Sequence, residues 1–188
     1  MLKSLSDFIH RVSTGWVALL ALVVFSLFIV LVLPNQAARA EANTGGANSP
    51  DGSFFYTTEE LYKMAEAYGE EGRQAYIRAR FTFDLIWPMA YTLFLGTWIS
   101  WVFRKAFTSD SLWQRANLAP VLGGLLDYLE NISASVVMAR YPNTTAVVDM
   151  LATIFTMTKW VFVSGSFVLL IVGVIIGAVR WIRAKGRQ

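Results

Sequence analysis

The chain contains no cysteine and one histidine, and only 15% of its 188 residues are charged. The lack of cysteine excludes a disulfide scaffold, a thiol nucleophile and a thiolate metal site. The single histidine, His10 in the amino-terminal tail, cannot build a multi-histidine metal site, so we expect no metal and no cofactor. Soluble domains carry about 25% charged residues. The low charge, together with 55% hydrophobic residues, therefore indicates a lipid environment.

The chain also lacks the dense cluster of positive charge that nucleic-acid binding needs. The formal net charge is only +3, and the lysines and arginines are dispersed along the chain. Many of them flank apolar segments, as topology signals do in membrane proteins. We expect no nucleic-acid partner, and a chain of this length predicts one domain.

What the chain does have is four long apolar stretches. A helix needs about 20 mostly apolar residues to cross the hydrocarbon core. Stretches of this kind cover about 16–33, 81–103, 118–139 and 150–180. They predict an all-α, polytopic membrane protein with four transmembrane helices in a single membrane domain, 1–188. The segment between spans 1 and 2, about 34–80, is predicted to form a short extracytoplasmic helical cap.

The distribution of lysine and arginine predicts the orientation. The amino tail, the connection between spans 2 and 3 and the carboxyl tail hold more of these residues than the other side, and most tryptophans lie near them. The positive-inside rule then predicts cytoplasmic amino and carboxyl termini. As an alternative, the first apolar run followed by Ala38-Arg39-Ala40 is similar to a secretory signal. Because this run is longer than a usual signal core, we favour a genuine first helix.

Local patterns in the cap predict two helices. Thr57 and Glu60 have the spacing of a capping box, so a helix should begin there. Its apolar face is expected to consist of Leu61, Met64, Ala65 and Tyr68. Gly69 is a predicted stop, and a second helix from Glu70 is expected to run directly into span 2. The preceding Asn43–Gly52 segment is a flexible linker by composition. We favour the interpretation that the cap packs over the bundle, rather than the alternative that it is a surface for docking a partner.

Ionisable side chains inside the predicted spans are the strongest functional signal. Each costs about 2.5–3.5 kcal/mol on insertion scales, so such residues usually face the bundle interior. At about 1.5 Å per residue, those of spans 2 to 4 fall in the outer half of the bundle. The candidate residues for ligand binding or proton exchange are Asp84 and Tyr91 in span 2, Asp127, Glu130 and Asn131 in span 3, and Lys159 in span 4.

These residues support three hypotheses. In the first, Asp127 and Glu130 exchange protons in an acidic pocket that binds a membrane lipid or another hydrophobic small molecule, and Asp84 and Lys159 orient or neutralise at its rim. Asn131 and Tyr91 would then hydrogen-bond the polar end of the ligand. Such a pocket could also belong to an enzyme, and the residues leave open whether a reaction is catalysed.

In the second hypothesis the charges serve only helix packing, and Asp84 or Glu130 pairs with Lys159. The chain would then be an accessory subunit of a larger complex, with a membrane-protein partner. In the third, the protein moves protons or ions and does so as a homo-oligomer, because four helices provide little room for a pathway.

Small residues and proline predict how the helices pack. Pro88 should kink span 2 because it lacks an N–H and its ring crowds the preceding turn. Gly123 and Gly124 in span 3 should allow another helix to approach closely. Gly173 and Gly177 in span 4 have the GxxxG spacing of a helix-packing motif, a pattern of weak specificity.

Several motifs resemble an uncharacterised family of small four-helix prokaryotic integral membrane proteins. The likeness runs from about Tyr56 to the last span, and it is strongest in an Asp-x2-Trp-Pro element and an Asp-Tyr-x-Glu-Asn element. In this sequence they are Asp84-Leu85-Ile86-Trp87-Pro88 and Asp127-Tyr128-Leu129-Glu130-Asn131. The resemblance implies a four-span fold in a bacterial inner membrane, and it implies no particular chemistry.

Overall fold

The structure, a computed structural model, describes residues 1–185 and contains helices but no strand in that range. The all-α prediction is therefore confirmed. Eight α-helices follow one another: α1 (Leu2–Val12), α2 (Gly15–Leu27), α3 (Leu33–Thr44), α4 (Thr58–Ala67), α5 (Gly69–Arg80), α6 (Phe83–Ala106), α7 (Ala119–Arg140) and α8 (Val148–Lys185). Four continuous or nearly continuous helical stretches are long and apolar enough to cross a membrane: Gly15–Thr44, Gly69–Ala106, Leu112–Arg140 and Val148–Lys185. The chain is a multi-pass membrane protein.

The centre of the bundle consists of α6, α7 and α8, with the most extensive contact between α7 and α8. Small residues on α7 make this contact possible, as predicted. A Cβ atom on Gly123 would lie 2.9 Å from a methyl group of Val163 on α8. A Cβ atom on Gly124 would lie 2.6 Å from the hydroxyl of Thr92 on α6. The two adjacent glycines therefore bring α7 against α8 and α6 at the same level.

The first spanning helix packs mainly against α6. The ring of Phe25 stacks on Phe94 at 4.4 Å between centroids, and the indole of Trp98 donates to the carbonyl of Ala18. Helices α2 and α3 form one continuous helix, joined by a π-helical segment at Phe28–Val32 immediately before Pro34. Since proline cannot donate to the preceding turn and its ring crowds that turn, a wider π segment accommodates it without ending the helix.

Helix α3 continues the first spanning helix to Thr44, and the rest of the predicted cap, residues 45–80, lies over one end of the bundle with α4 and α5 against α7. The predicted capping box is confirmed: Thr57 and Glu60 bond each other's backbone N–H groups. The backbone and side-chain hydrogen bonds from Thr57 lower the pKa of the Glu60 carboxyl. The predicted apolar face is buried at all of its positions, Leu61, Met64, Ala65 and Tyr68.

The cap joins span 2 differently from the prediction. A direct continuation from Glu70 into span 2 was expected, but the helix is interrupted at Phe81 and Thr82. Thr82 has φ −127° and ψ −79°, outside the helical region, and its hydroxyl bonds back to the carbonyl of Arg78. This local side-chain bond replaces helical backbone pairing, as threonine often does at helix ends. The break makes α5 and α6 two separate helices.

The amino-terminal helix α1 lies across the opposite end of the bundle, against α6 and a 3₁₀ segment at Leu112–Leu118. Asn117 connects the three elements, because it bonds Ser6 on α1 and Ser100 on α6. The other side of α1 exposes large apolar residues: Leu2, Leu5, Phe8 and Val12. A helix with one apolar exposed side and one docked polar side is typical of the membrane interface.

Candidate functional site

Charged residues of the spans and of the cap gather into two groups of three, each with one base between two acids. The Lys159 triad consists of Lys159, Asp127 and Glu130. The Arg80 triad consists of Arg80, Asp51 and Asp84. We refer to the two triads together as the polar cluster. Helix α6 connects them, because Asp84 lies two helical turns before Tyr91, whose hydroxyl bonds Asp127.

The Lys159 triad lies between α7 and α8, and its two acids are three residues apart on α7, within one helical turn. The ammonium Nζ of Lys159 forms an ion pair with Oε2 of Glu130 and lies 3.5 Å from Oδ1 of Asp127. Glu130 has no exposed surface, and Lys159 is 5% exposed. The aliphatic stem of Lys159 thus carries its charge inward to the acids, one of the two directions that its length allows.

The Arg80 triad connects the cap to span 2. The guanidinium of Arg80, at the end of α5, forms an ion pair with Asp51 and places Nε 2.9 Å from Oδ2 of Asp84. Arg80 also lies over the ring of Tyr76, with 4.5 Å between Cζ and the ring centroid. The side chain of Asp51 is 32% exposed, whereas those of Arg80 and Asp84 are 9% exposed. The cluster therefore reaches the surface at Asp51.

Hydrogen bonds hold the carboxylate of Asp127 in a defined position. The hydroxyl of Tyr91 on α6 donates to Oδ2 of Asp127 at 2.8 Å, and the amide of Asn131 lies 3.5 Å from Oδ1. The hydroxyl of Tyr128 donates to the carbonyl of Leu85. With Lys159, Asp127 thus has partners from α6, α7 and α8.

Tyr56 places the cap directly over this region. It is 1% exposed, and its hydroxyl accepts a hydrogen bond of 2.9 Å from Thr156, one turn before Lys159 on α8. The pKa of the Tyr56 phenol is raised above its ordinary value, and burial is the largest cause. The phenol therefore stays neutral, so the contact at Tyr56 is polar but uncharged, in contrast with the ion pairs of Arg80.

Not every polar atom in this region has a partner among the described residues. Four buried atoms lack a hydrogen bond: Oε1 of Glu130, Oδ1 of Asn131 and the hydroxyl oxygens of Ser135 and Tyr76. Three of these residues lie within one and a half turns of α7, and α5, which carries Tyr76, packs against α7. Buried polar groups usually have partners, so these atoms are available for hydrogen bonds to a bound molecule.

The structure brings five of the six predicted residues together. Asp127 contacts Tyr91, Asn131 and Lys159, and Lys159 contacts Glu130. The sixth, Asp84, pairs with Arg80 instead. The hydroxyl of Tyr91 donates to Asp127, and its role as a ligand contact stays a prediction.

Two members of the cluster were missed by the sequence analysis. Asp51 lies in the segment interpreted as a flexible linker, and Arg80 was interpreted only as a flanking charge. A signal for Arg80 was present, since it lies one helical turn before Asp84, and opposite charges four residues apart on a helix attract each other. No local pattern pointed to Asp51, because its contact with Arg80 forms only when the cap folds back.

Two cavities lie elsewhere, on the outer surface between α6 and α8. One has a volume of about 480 Å³, and its lining includes Trp98, Lys105 and Arg180. The other has a volume of about 320 Å³ and an entirely apolar lining that includes Phe94 and Leu170. Neither is lined by a residue of the polar cluster.

No family model matches the chain, and neither a curated protein nor a solved structure shows significant similarity to it. The chemistry must therefore be argued from the residues. Among residues 1–185, no group of three His, Cys, Asp or Glu side chains is placed to hold a metal ion.

Proposed function

We propose that this membrane protein binds a lipid or another hydrophobic molecule by its polar end, and that the polar cluster is the binding site. The observation that carries the proposal is the set of buried polar atoms on α7 that have no partner among the described residues, beside an ion cluster with more acids than bases. The ligand would contribute the missing hydrogen bonds.

The charge of the cluster favours a particular kind of polar end. Each triad has two carboxylates and one base. Taking ions out of water is expensive unless each charge is balanced and hydrogen-bonded. A protonated amine would balance the surplus negative charge, and a hydroxyl would donate a hydrogen bond to the surplus carboxylate. We therefore expect donors rather than an anionic group at this site.

The route to the site would pass the cap. Asp51 is the most exposed member of the cluster, and the cap residues Tyr56 and Tyr76 lie beside the buried part. Displacement of the segment before α4 would open the cluster toward the end of the membrane that the charge distribution predicts to be outer. The spanning helices need not separate, because the contacts to be broken belong to this segment: the ion pair of Asp51 with Arg80, the hydrogen bond of Tyr56 with Thr156 and the packing of the Tyr56 ring.

The test is to identify what the purified protein retains. The full chain would be extracted in several mild detergents, and native mass spectrometry would record any bound hydrophobic molecule. We expect wild type to retain one class of molecule near a one-to-one ratio in each detergent. Glu130→Gln should lose most of it, because the substitution removes the carboxylate beside the unpartnered atoms.

The matched control is Glu66→Gln, which makes the same chemical change on an exposed position of α4. It should retain the ligand as wild type does, and the thermal unfolding of all three proteins would be recorded to confirm folding. A protein that carries no stoichiometric ligand in any detergent contradicts the proposal. So does a folded Glu130→Gln variant that retains as much as the control.

A second candidate function is an accessory subunit of a larger membrane complex. The observation that favours it is the internal pairing of the charges, which is how charges that serve only packing would be arranged. The first span also has only 6% of its most apolar 18-residue window buried, so most of its surface is available to lipid or to a partner helix. A reproducible partner in mild-detergent pull-downs, together with an absence of bound ligand, would support this function instead.

A further inference from the structure

The two cavities between α6 and α8 lie next to each other. Both are lined by Trp98 and Val174, so they are neighbours along the same face, and we call the two together the groove. The groove runs along the outer surface of the bundle, from Lys105 near the end of α6 to Phe94 near its middle. At about 1.5 Å per residue these two positions are about 16 Å apart along the helix. The hydrocarbon region of one leaflet is about 15 Å deep, half of the bilayer core.

The chemistry of the groove changes along its length. The part nearest the middle of the bundle is lined only by apolar surface, including Leu22, Leu170 and Ile171. The part nearest the end contains Lys105 and Arg180 together with three tryptophans, Trp98, Trp101 and Trp181. Tryptophans at such a level are typical of the membrane interface. The groove thus has an apolar channel and a cationic, aromatic mouth.

The two cations at the mouth have no acidic partner among residues 1–185, in contrast with Arg80 and Lys159. The ammonium of Lys105 lies 3.5 Å from the centroid of the Trp101 ring, which holds it at the mouth and leaves its other donors available. The neighbouring Arg104 differs, because its guanidinium bonds the carbonyls of His10 and Ser13. Lys105 and Arg180 are therefore the cations that remain for a ligand.

One glycine leaves room for this groove. In the Gly173-x-x-x-Gly177 pattern, only Gly173 is a packing contact, since a Cβ atom there would collide with the ring of Phe103. A Cβ atom on Gly177 would meet nothing within 4 Å, and Gly177 lines the larger cavity. The two glycines thus have different consequences: one brings α8 against α6, and the other widens the space beside that contact.

We propose that the groove is a binding site for one anionic phospholipid, with its phosphate group at Lys105 and Arg180 and an acyl chain between α6 and α8. Charge complementarity favours this occupant, because an uncharged lipid or an apolar helix would leave both cations unpaired. The mouth lies at the end that carries α1 and the carboxyl-terminal part of α8, which the charge distribution predicts to be cytoplasmic. Anionic lipids are concentrated in the cytoplasmic leaflet. This site is separate from the polar cluster and does not depend on the function proposed for it.

The test exchanges the full-length protein into vesicles that contain equal amounts of phosphatidylglycerol and phosphatidylcholine, and native mass spectrometry then measures the lipid retained. We expect wild type to keep one phosphatidylglycerol in preference to phosphatidylcholine. The Lys105→Gln/Arg180→Gln double variant should lower this preference by about tenfold or more, since each basic residue near the surface contributes several-fold to the binding of anionic lipid. Gly177→Leu should reduce retention of both lipids, because its side chain fills the groove.

The matched control is Lys3→Gln/Arg11→Gln, which removes the same charge from exposed positions of α1 at the same end. It should keep the preference of wild type. An equal loss in this control would overturn the proposal, because it would mean diffuse attraction rather than a site. So would a wild type without preference, or a dimer of the chain that retains no lipid. A Gly177→Leu variant that binds phosphatidylglycerol as wild type does would place the lipid elsewhere and would also overturn it.

Discussion

At the scale of single residues, the buried charges differ in how many partners each one has. Lys159 has two acids within reach, and Glu130 has Lys159 as its only base among the described residues. Asp127 has further hydrogen bonds from Tyr91 and Asn131. Removal of the base therefore leaves two carboxylates without compensation, whereas removal of one acid leaves the base with the other acid. The effects of substitution should be unequal for this reason.

We expect Lys159→Met to lower the free energy of unfolding by about 3–5 kcal/mol, as removal of one partner of a buried ion pair does. Glu130→Gln should cost less, because Lys159 keeps Asp127 at 3.5 Å. The double variant should be more stable than Lys159→Met alone, since only one uncompensated acid remains. Thermal and denaturant unfolding in detergent would measure all three.

The control for this series is Lys63→Met, which removes an exposed lysine paired with Glu59 on the surface of α4. Little change is expected there, because exposed pairs contribute little. If Lys159→Met and Glu130→Gln are as stable as wild type, the triad does not stabilise the fold, and the case for a ligand at Glu130 becomes stronger. If the double variant is the least stable of the three, the unequal-partner argument is wrong.

At the scale of helices, α7 is the element around which the others assemble. It packs against α5, α6 and α8, and it carries two acids of the polar cluster. Its glycines set the distance to α6 and α8 one turn before Asp127, so the depth and rotation of α7 determine where the acids lie. The contact at Gly123 and the geometry of the Lys159 triad are therefore coupled.

Gly123→Ala should destabilise the protein, because the new methyl group would lie 2.9 Å from a methyl group of Val163. Overpacking of this kind costs about 1–3 kcal/mol, against a gain of about 1 kcal/mol in helix propensity. The control is Gly165→Ala on α8, where a Cβ atom meets nothing within 4 Å. Only the gain should remain in the control, so unfolding in detergent should show it to be the more stable variant. Equal stability of the two variants would mean that α7 and α8 adjust freely.

At the scale of the whole molecule, the two ends of the bundle are closed in different ways. At one end the cap is joined to the spans by Arg80 and by the contact between Tyr56 and Thr156. At the other end α1 is joined through Asn117. The polar cluster lies under the cap, so the stability of the cap and access to the cluster are linked.

Asp51→Asn should loosen the cap without unfolding the bundle. Arg80 keeps its partner Asp84 in this variant, so the unfolding temperature should change little. Hydrogen–deuterium exchange should increase several-fold in the segment 45–56 and remain unchanged in α6 and α7. Asp110→Asn, in an exposed turn at the other end, is the control and should affect neither region. A loss of protection throughout the spans would mean that Asp51 stabilises the whole bundle.

Most of the helices could be predicted from the sequence, because their signals are local. The capping box at Thr57 and the buried face from Leu61 to Tyr68 depend only on spacing within one helix. Helix α1 was missed, although Leu2, Leu5 and Val12 recur at helical spacing. A helix of this length depends on tertiary contacts for its stability, and the sequence does not show those contacts. The break at Phe81 and Thr82 was missed because apolar and polar residues continue through it without a proline or glycine.

The sequence by itself determined that the chain is a helical membrane protein with four long apolar helices and ionisable residues at buried positions. Lipid provides no hydrogen bonds to the backbone, so long apolar stretches must satisfy their own polar groups as helices. Only the tertiary structure decided which charges meet: Lys159 with Glu130 and Asp127, and Asp84 with Arg80. Pairing depends on the rotation and relative depth of separate helices and on the fold-back of a cap loop, and spacing along the chain encodes none of these directly.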